Sequence, residues 1–180
     1  MHRKPFLELL ENYGKRHSEE SGVVERFRIF VTENPDCFER TLETGHITGS
    51  AWIISESGQE TLLTHHRKLD IWVQTGGHAD GECDVLAVAM KEAEEEAGLN
   101  SIAPVSPEIF DLDVHSIPAR KSDPEHFHYD VRFAIRQTGS QEFVVSEESH
   151  DLAWVPLDDL EKYTSEESML RMRQKSLALA

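Results

Sequence analysis

A chain of 180 residues with 38% hydrophobic and 29% charged side chains has the composition of one folded domain with an ordinary core, which excludes a disordered or fibrous protein. Its 34 acidic residues against 18 basic ones leave a formal charge of -16, which repels a phosphate backbone or an anionic membrane surface and argues against non-specific nucleic-acid binding. A small anionic substrate stays compatible with that charge if a divalent cation inverts the local potential.

Helix spacing appears first at Phe6, Leu9, Leu10 and Tyr13, which predicts a helix from Pro5 to about Tyr13 with Gly14 as its stop. Val23, Val24, Phe27 and Val31 repeat the period until Asn34-Pro35-Asp36 breaks it, so residues 1–40 read as an N-terminal helical extension. Strand-like runs follow at His46 to Ser55, Thr61 to His65 and Ile71 to Gln74, with turn signals such as Glu56-Ser57-Gly58 between them. After a glycine turn at Gly76-Gly77 comes a helix from about Asp84 to Ala97, then strands near Glu108 to His115, His126 to Gln137 and Leu152 to Val155. Pro156 is placed to start a short helix through Leu160, and Thr164-x-x-Glu167 reads as a capping box for a last helix with Met169, Leu170, Met172 and Leu177. Mixed strands and helices without an internal repeat predict a single α/β (α+β) sandwich.

Cys37 and Cys83 form no CxxC pair, so neither a disulfide framework nor a thiolate zinc site is expected. The longest apolar run, Val85 to Met90, is too short to span a membrane, and Glu8 and Glu11 interrupt the N-terminus where a signal peptide needs an apolar stretch. These features suit a soluble protein of the cytoplasm that does not act at a membrane.

The chemistry is concentrated where a glycine loop leads into the helix ending Lys91-Glu92-Ala93-Glu94-Glu95-Glu96-Ala97-Gly98-Leu99. At about 100° per residue, Glu92, Glu95 and Glu96 fall within one arc, beside an apolar arc of Leu86, Ala89, Met90, Ala93 and Ala97 that should face the sheet. Like charges at these spacings disfavour a helix by a few tenths of a kcal/mol per pair, so the cluster either lies in solvent or holds a cation. Hard oxygen donors favour Mg2+ or Mn2+.

From Gly77 to Leu99 this segment resembles the Nudix box: glycine, five residues, glutamate, seven residues, then Arg-Glu-hydrophobic-x-Glu-Glu-x-Gly-hydrophobic. Glu92, Glu95, Glu96, Gly98 and Leu99 occupy the family's positions, with Ala93 at the hydrophobic one. Lys91 stands in place of the arginine, losing its planar fork, and Cys83 in place of the first glutamate, with Glu82 beside it. The resemblance implies a Nudix-type sandwich, a mixed β-sheet flanked by helices over residues 41–164, with residues 165–180 as a C-terminal helix on the same domain. It also implies a metal-dependent pyrophosphatase acting on a small nucleoside diphosphate derivative: a nucleotide sugar, an ADP-ribose-like compound or a nucleoside triphosphate. Glu92, Glu95 and Glu96 would be its Mg2+ or Mn2+ ligands, and Glu147 or Glu148 its further carboxylate. Many members are homodimers, and that state is left open.

Strand alternation sets His126, His128, Asp130 and Arg132 on one face and Phe127, Tyr129, Val131 and Phe133 on the other, which should be the core side. Across a hairpin turn through Pro118 to Pro124, Asp111, Asp113 and His115 share a face in the same way. With His46 and His78, these imidazoles either converge near the diphosphate site or lie exposed beside aspartates. Gly77, His78, His128 and Arg132 are accordingly the candidate substrate-binding residues. Two rivals to hydrolysis remain: a nucleotide-binding Nudix module without turnover, motivated by Cys83 and Lys91, and an enzyme similar to isopentenyl diphosphate isomerase. His46, Gly77-His78 and Gly81-Glu82 look like parts of the isomerase pattern, but Gly76 stands where that family has its catalytic cysteine.

Overall fold

In the structure, a computed structural model that describes residues 2–120, 124–147 and 149–179, Pro5 lies in the first turn of α1 (Lys4–Arg16) and Lys15 and Arg16 in its last. The proline lacks the N–H that a first turn leaves unpaired, and the cations suit the helix's negative end. Gly14 does not stop this helix. It lies inside it, where a Cβ would come within 3.3 Å of Val24 Cγ1, so the glycine lets α1 approach α2 (Ser21–Glu33). Phe6, Leu10, Tyr13, Phe27, Phe30 and Val31 from these helices join the same buried cluster as the central strands. Phe30 stacks on Tyr129 at 3.8 Å between ring centroids, with Phe27 edge-on to the same ring at 5.3 Å.

The strands are β1 (Gly45–Ile54), β2 (Glu60–His66), β3 (Ile71–Val73), β4 (Thr75–His78), β5 (Ile102–Pro104), β6 (Asp111–Ile117), β7 (His126–Gln137) and β8 (Ser149–Pro156). β1 is the axis of the sheet. It runs parallel to β7 from the Gly45–Phe127 pair to Ile54–Arg136, and its other edge is shared by β4 and β2. β6 and β5 divide the outer edge of β7 in the same way, and β2 carries β8 and β3. The glycine pair therefore belongs to a strand, not a turn: Gly76 and Gly77 pair with Ser50 and Gly49. The hairpin expected between β6 and β7 exists, though residues 121–123 of its connection lie outside the described residues.

Both faces of the sheet are covered, where alternation had suggested a single apolar core side. Ile47, Ala51, Ile53, Tyr129, Val131 and Phe133 face α1, α2 and α3 (Val85–Ala97), while Trp52, Ile54 and Ala134 pack on the other face with Leu157, Leu160, Met169 and Met172. The last two come from α4 (Glu167–Ser176), and Trp52 Nε1 donates to Ser176 Oγ at 2.6 Å. Pro156 precedes a 3-10 segment, Leu157–Lys162, that packs on this second face. Thr164 is not the N-cap of α4. Glu166 holds that position, and the Thr164 hydroxyl instead accepts from the Glu166 N–H at 3.2 Å.

Candidate functional site

Two turns aim α3 at the glycine strand. Asp80 and Gly81 adopt positive φ (49° and 86°) to reverse the chain after β4, and Asp84 caps the helix by accepting from the Ala87 N–H at 3.2 Å. Gly98, at φ 65°, closes its C-terminus in the left-handed conformation. Along α3 the buried stripe runs Val85, Val88, Ala89, Ala93, Glu96, Ala97, while Leu86 and Met90 are only partly covered. Glu92 and Glu96 thus continue the helix face that packs on the sheet.

The landing place of these two carboxylates is backbone. Glu96 Oε1 accepts from the Gly76 N–H at 3.1 Å, and a Cβ built on Gly77 would lie 2.5 Å from Glu92 Cδ and 2.6 Å from each of its oxygens. Any side chain at residue 77 would occupy the space that the Glu92 carboxylate fills. Glu95, expected in the same set, is exposed and pairs with Lys91 at 3.4 Å. The described loop brings no carboxylate to the place of Cys83: Glu82 Oε1 accepts from the Asp84 N–H at 2.9 Å, and Cys83 Sγ contacts the Gly81 carbonyl. Glu148 lies outside the described residues, and Glu147 is exposed.

His78 follows Gly77 but belongs to the opposite face of β4. There the register aligns His46, His128 and His115 across β1, β7 and β6, and places His78 beside Thr48 in the next row. The His46 ring lies 5.0 Å from His78, 5.0 Å from His126 and 4.9 Å from His128 between centroids, so the imidazoles do converge. Burial, then the neighbouring imidazoles, lower the His46 pKa to about 4 and that of His128 to about 2, which keeps both rings neutral at physiological pH.

Arg132, grouped with the substrate-binding candidates, sits in a buried ion network. It is 3% exposed, and Asp130, Asp111 and Asp113 hold its guanidinium at 2.7, 3.2 and 3.4 Å. Burial would lower its pKa, but these three carboxylates raise it above the ordinary arginine value. Arg171 and Lys175 of α4 reach the same Asp111 at 2.8 and 2.7 Å, and Lys175 also meets Glu20 at 2.6 Å, so the network ties α4 to the N-terminal helices. Asp130 accepts in addition from Thr48 and Ser50, which fixes the floor beneath the histidines. Burial opposes ionisation of Asp113, yet the His115 hydrogen bond and the Arg132 charge carry its pKa down to about 2.

The NUDIX domain family model matches residues 45–175. The chain belongs to the Nudix family. Solved Nudix structures share the fold at low sequence identity. A C. elegans Ap4A hydrolase superposes with a TM-score of 0.55 at 17% identity, over 73% of this chain and 95% of that one. A NUDIX family hydrolase from Clostridium perfringens gives 0.54 at 22% identity over 75% and 98%. The NUDIX domain of Shewanella oneidensis NrtR, solved with ADP ribose, gives 0.51 at 15% identity over 77% and 90%. Among curated protein sequences none matches this chain. The match begins at the first residue of β1, so α1 and α2 precede the Nudix domain in sequence while sharing its core. In this Nudix domain the glutamates of the box motif lie on α3 against the glycines of β4. Sequence reasoning did not identify the Gly76 N–H as a ligand for Glu96, nor Gly49 as the seat of α3, where a Cβ would lie 2.9 Å from the Val85 carbonyl oxygen. A glycine in the middle of a strand pattern was the available signal for the second.

Proposed function

We propose that this Nudix hydrolase cleaves the diphosphate linkage of a nucleoside diphosphate derivative in a reaction dependent on Mg2+ or Mn2+. The observation that carries this reading is the convergence of Glu92 and Glu96 on the Gly76-Gly77 backbone, in the register of the Nudix box. Carboxylate oxygens suit a hard divalent cation, and the glycine pair leaves no side chain between helix and strand, so the donors present fit such an ion. Glu92 and Glu96 would hold it, with Glu95 joining from the exposed end of the set. When bound, the ion neutralises charge on the diphosphate oxygens and lowers the pKa of an attacking water.

The chain's own residues supply orientation. The Gly76 N–H fixes the rotamer of Glu96, and Gly77 lets Glu92 lie against the strand; Asp84 and Gly98 hold the two ends of the helix that carries both. Lys91 acts on Glu95 as a point charge rather than a two-pronged clamp, which makes Glu95 the least constrained of the three. Glu148 remains the proposed further carboxylate. The neighbours named for Ap4A and for ADP ribose support including dinucleotides and ADP-ribose-like compounds among the substrates to be tested. Two free cysteines suit the reducing cytoplasm.

The test is phosphorus-detected turnover with Mg2+, with Mn2+ and with chelator, across dinucleotides, ADP-ribose-like compounds, nucleotide sugars, nucleoside triphosphates and isopentenyl diphosphate. Metal-dependent cleavage that Glu92→Gln and Glu96→Gln each reduce at least about 100-fold is the expected result. Binding of a nucleotide without turnover under any metal would refute hydrolysis in favour of a non-catalytic module.

A further inference from the structure

The histidine cluster is a group of potential ligands that the box chemistry does not use. His46, His78 and His128 each offer a ring nitrogen, and the three atoms lie within 4.8 Å of one another. His46 is 3% exposed, and among the described residues neither of its nitrogens has a hydrogen-bond partner; the Leu42 backbone favours its protonated form without reaching hydrogen-bond geometry. A buried imidazole without a partner is rare in a folded protein and calls for a ligand. A second observation points the same way. His126 Nδ1 lies 2.9 Å from the Pro124 carbonyl, an acceptor only, so that nitrogen carries the proton and Nε2 presents its lone pair. That Nε2 is 3.3 Å from His128 Nε2, and about 3.3 Å also separates two nitrogens bound tetrahedrally to one ion at 2.0–2.1 Å.

We infer that His46, His78, His126 and His128 form a binding site for a divalent transition-metal ion of the Zn2+ type, separate from the cation of the box glutamates. An all-imidazole donor set suits Zn2+, Co2+ or Ni2+ and offers none of the oxygen ligands that Mg2+ requires. The rings arrive from three strands whose pairing is fixed by the sheet, and β7 contributes the His126-x-His128 pair on one face. His115, 5.5 Å from His128 between centroids and held by Asp113, flanks the set. The Glu92 and Glu96 carboxylates meet β4 from its other side, so the two sites can be loaded and emptied independently.

Co2+ added to metal-stripped protein is the direct probe, because tetrahedral nitrogen coordination gives visible absorption bands that Mg2+ cannot produce. The expected result is saturation at one equivalent, displacement by Zn2+, and the same titration in Glu92→Gln and Glu96→Gln. His128→Asn and His78→Asn should each weaken Co2+ binding at least tenfold; His78 is only partly buried, so its variant keeps the test valid if His128→Asn fails to fold. Bands unchanged in a folded histidine variant, bands lost in the glutamate variants, or no bands in the wild type would each overturn the assignment. Absence of turnover in the wild-type protein, with cobalt binding intact, would instead count against the box reading alone.

Discussion

Gly77→Ala should damage the site while sparing the fold. The added methyl would lie 2.5 Å from Glu92 Cδ and 2.6 Å from both oxygens, where ordinary contact begins near 3.4 Å. Relief requires the carboxylate to retreat by about 1 Å, a displacement that costs about 100-fold when it moves a group out of catalytic geometry. The obstacle is the end of a flexible side chain and φ at Gly77 is not positive, so the stability change should stay below about 1 kcal/mol. Gly49→Ala makes the opposite comparison. Its methyl meets the Val85 carbonyl oxygen at 2.9 Å and Val88 Cβ at 3.0 Å, atoms of a packed helix that cannot rotate away, and overpacking of this kind costs about 1–3 kcal/mol. At roughly 2–4 °C per kcal/mol for a chain of this size, Gly49→Ala should lower Tm by about 2–12 °C. Steady-state kinetics with Mg2+ and a thermal melt on both variants decide the matter. A Gly77→Ala enzyme with kcat/KM within about threefold of wild type would refute the argument that Glu92 acts from its position against β4.

Other perturbations probe other parts of the molecule. Glu95→Gln should lower kcat/KM less than Glu96→Gln does, because Glu95 is exposed and, among the described residues, pairs with Lys91; equal losses in the two kinetic assays would contradict this order. Glu96→Gln keeps an acceptor for the Gly76 N–H, so its melting temperature should match wild type within error even as turnover falls. Arg132→Met strands three buried or half-buried carboxylates, and urea unfolding should show a loss of about 3–5 kcal/mol, whereas a substrate-binding arginine would alter KM and leave stability in place. Ser176→Ala removes the acceptor of the buried Trp52 N–H and should cost about 1–3 kcal/mol, read from the same unfolding experiment.

The sequence was most legible where one physical signal dominates. Period 3.6 placed α2 and α3 within a residue or two, because each buries a stripe that the pattern displays, and β-type runs bounded by turn signals did the same for β1 and β7 although both faces of those strands are largely buried. It was least legible where tertiary contacts override local chemistry. Gly14 resembles a stop signal, but the close approach of Val24 keeps the helix running through it. Gly76-Gly77 resembles a turn, but pairing with β1 draws it into a strand. Arg132 shares the histidines' face as expected, and only the register of β6 reveals that Asp111 and Asp113 lie opposite it and its neighbour to claim the guanidinium. The glutamates were legible as a cluster but not as unequal members of it. Helix angle alone puts Glu92, Glu95 and Glu96 on one arc, and only the position of β4 under that arc distinguishes the two that meet backbone from the one that meets solvent.

β4 gains its importance from what it lacks. With glycine at 76 and 77, it sets its backbone against Ser50 on one face and the Glu92 carboxylate on the other, and a Cβ at either position would fall below 3 Å from those neighbours. One edge strand therefore presents an N–H to Glu96, yields space to Glu92, and one residue later delivers His78 to the opposite face. That spacing follows from alternation: the residue after Gly77 must project away from α3, and the register with Thr48 puts it in the row next to His46 and His128. An alanine at Gly77 would disturb only the carboxylate side, and an asparagine at His78 only the imidazole side. Adjacent residues of one strand thus permit the two sites to be separated experimentally.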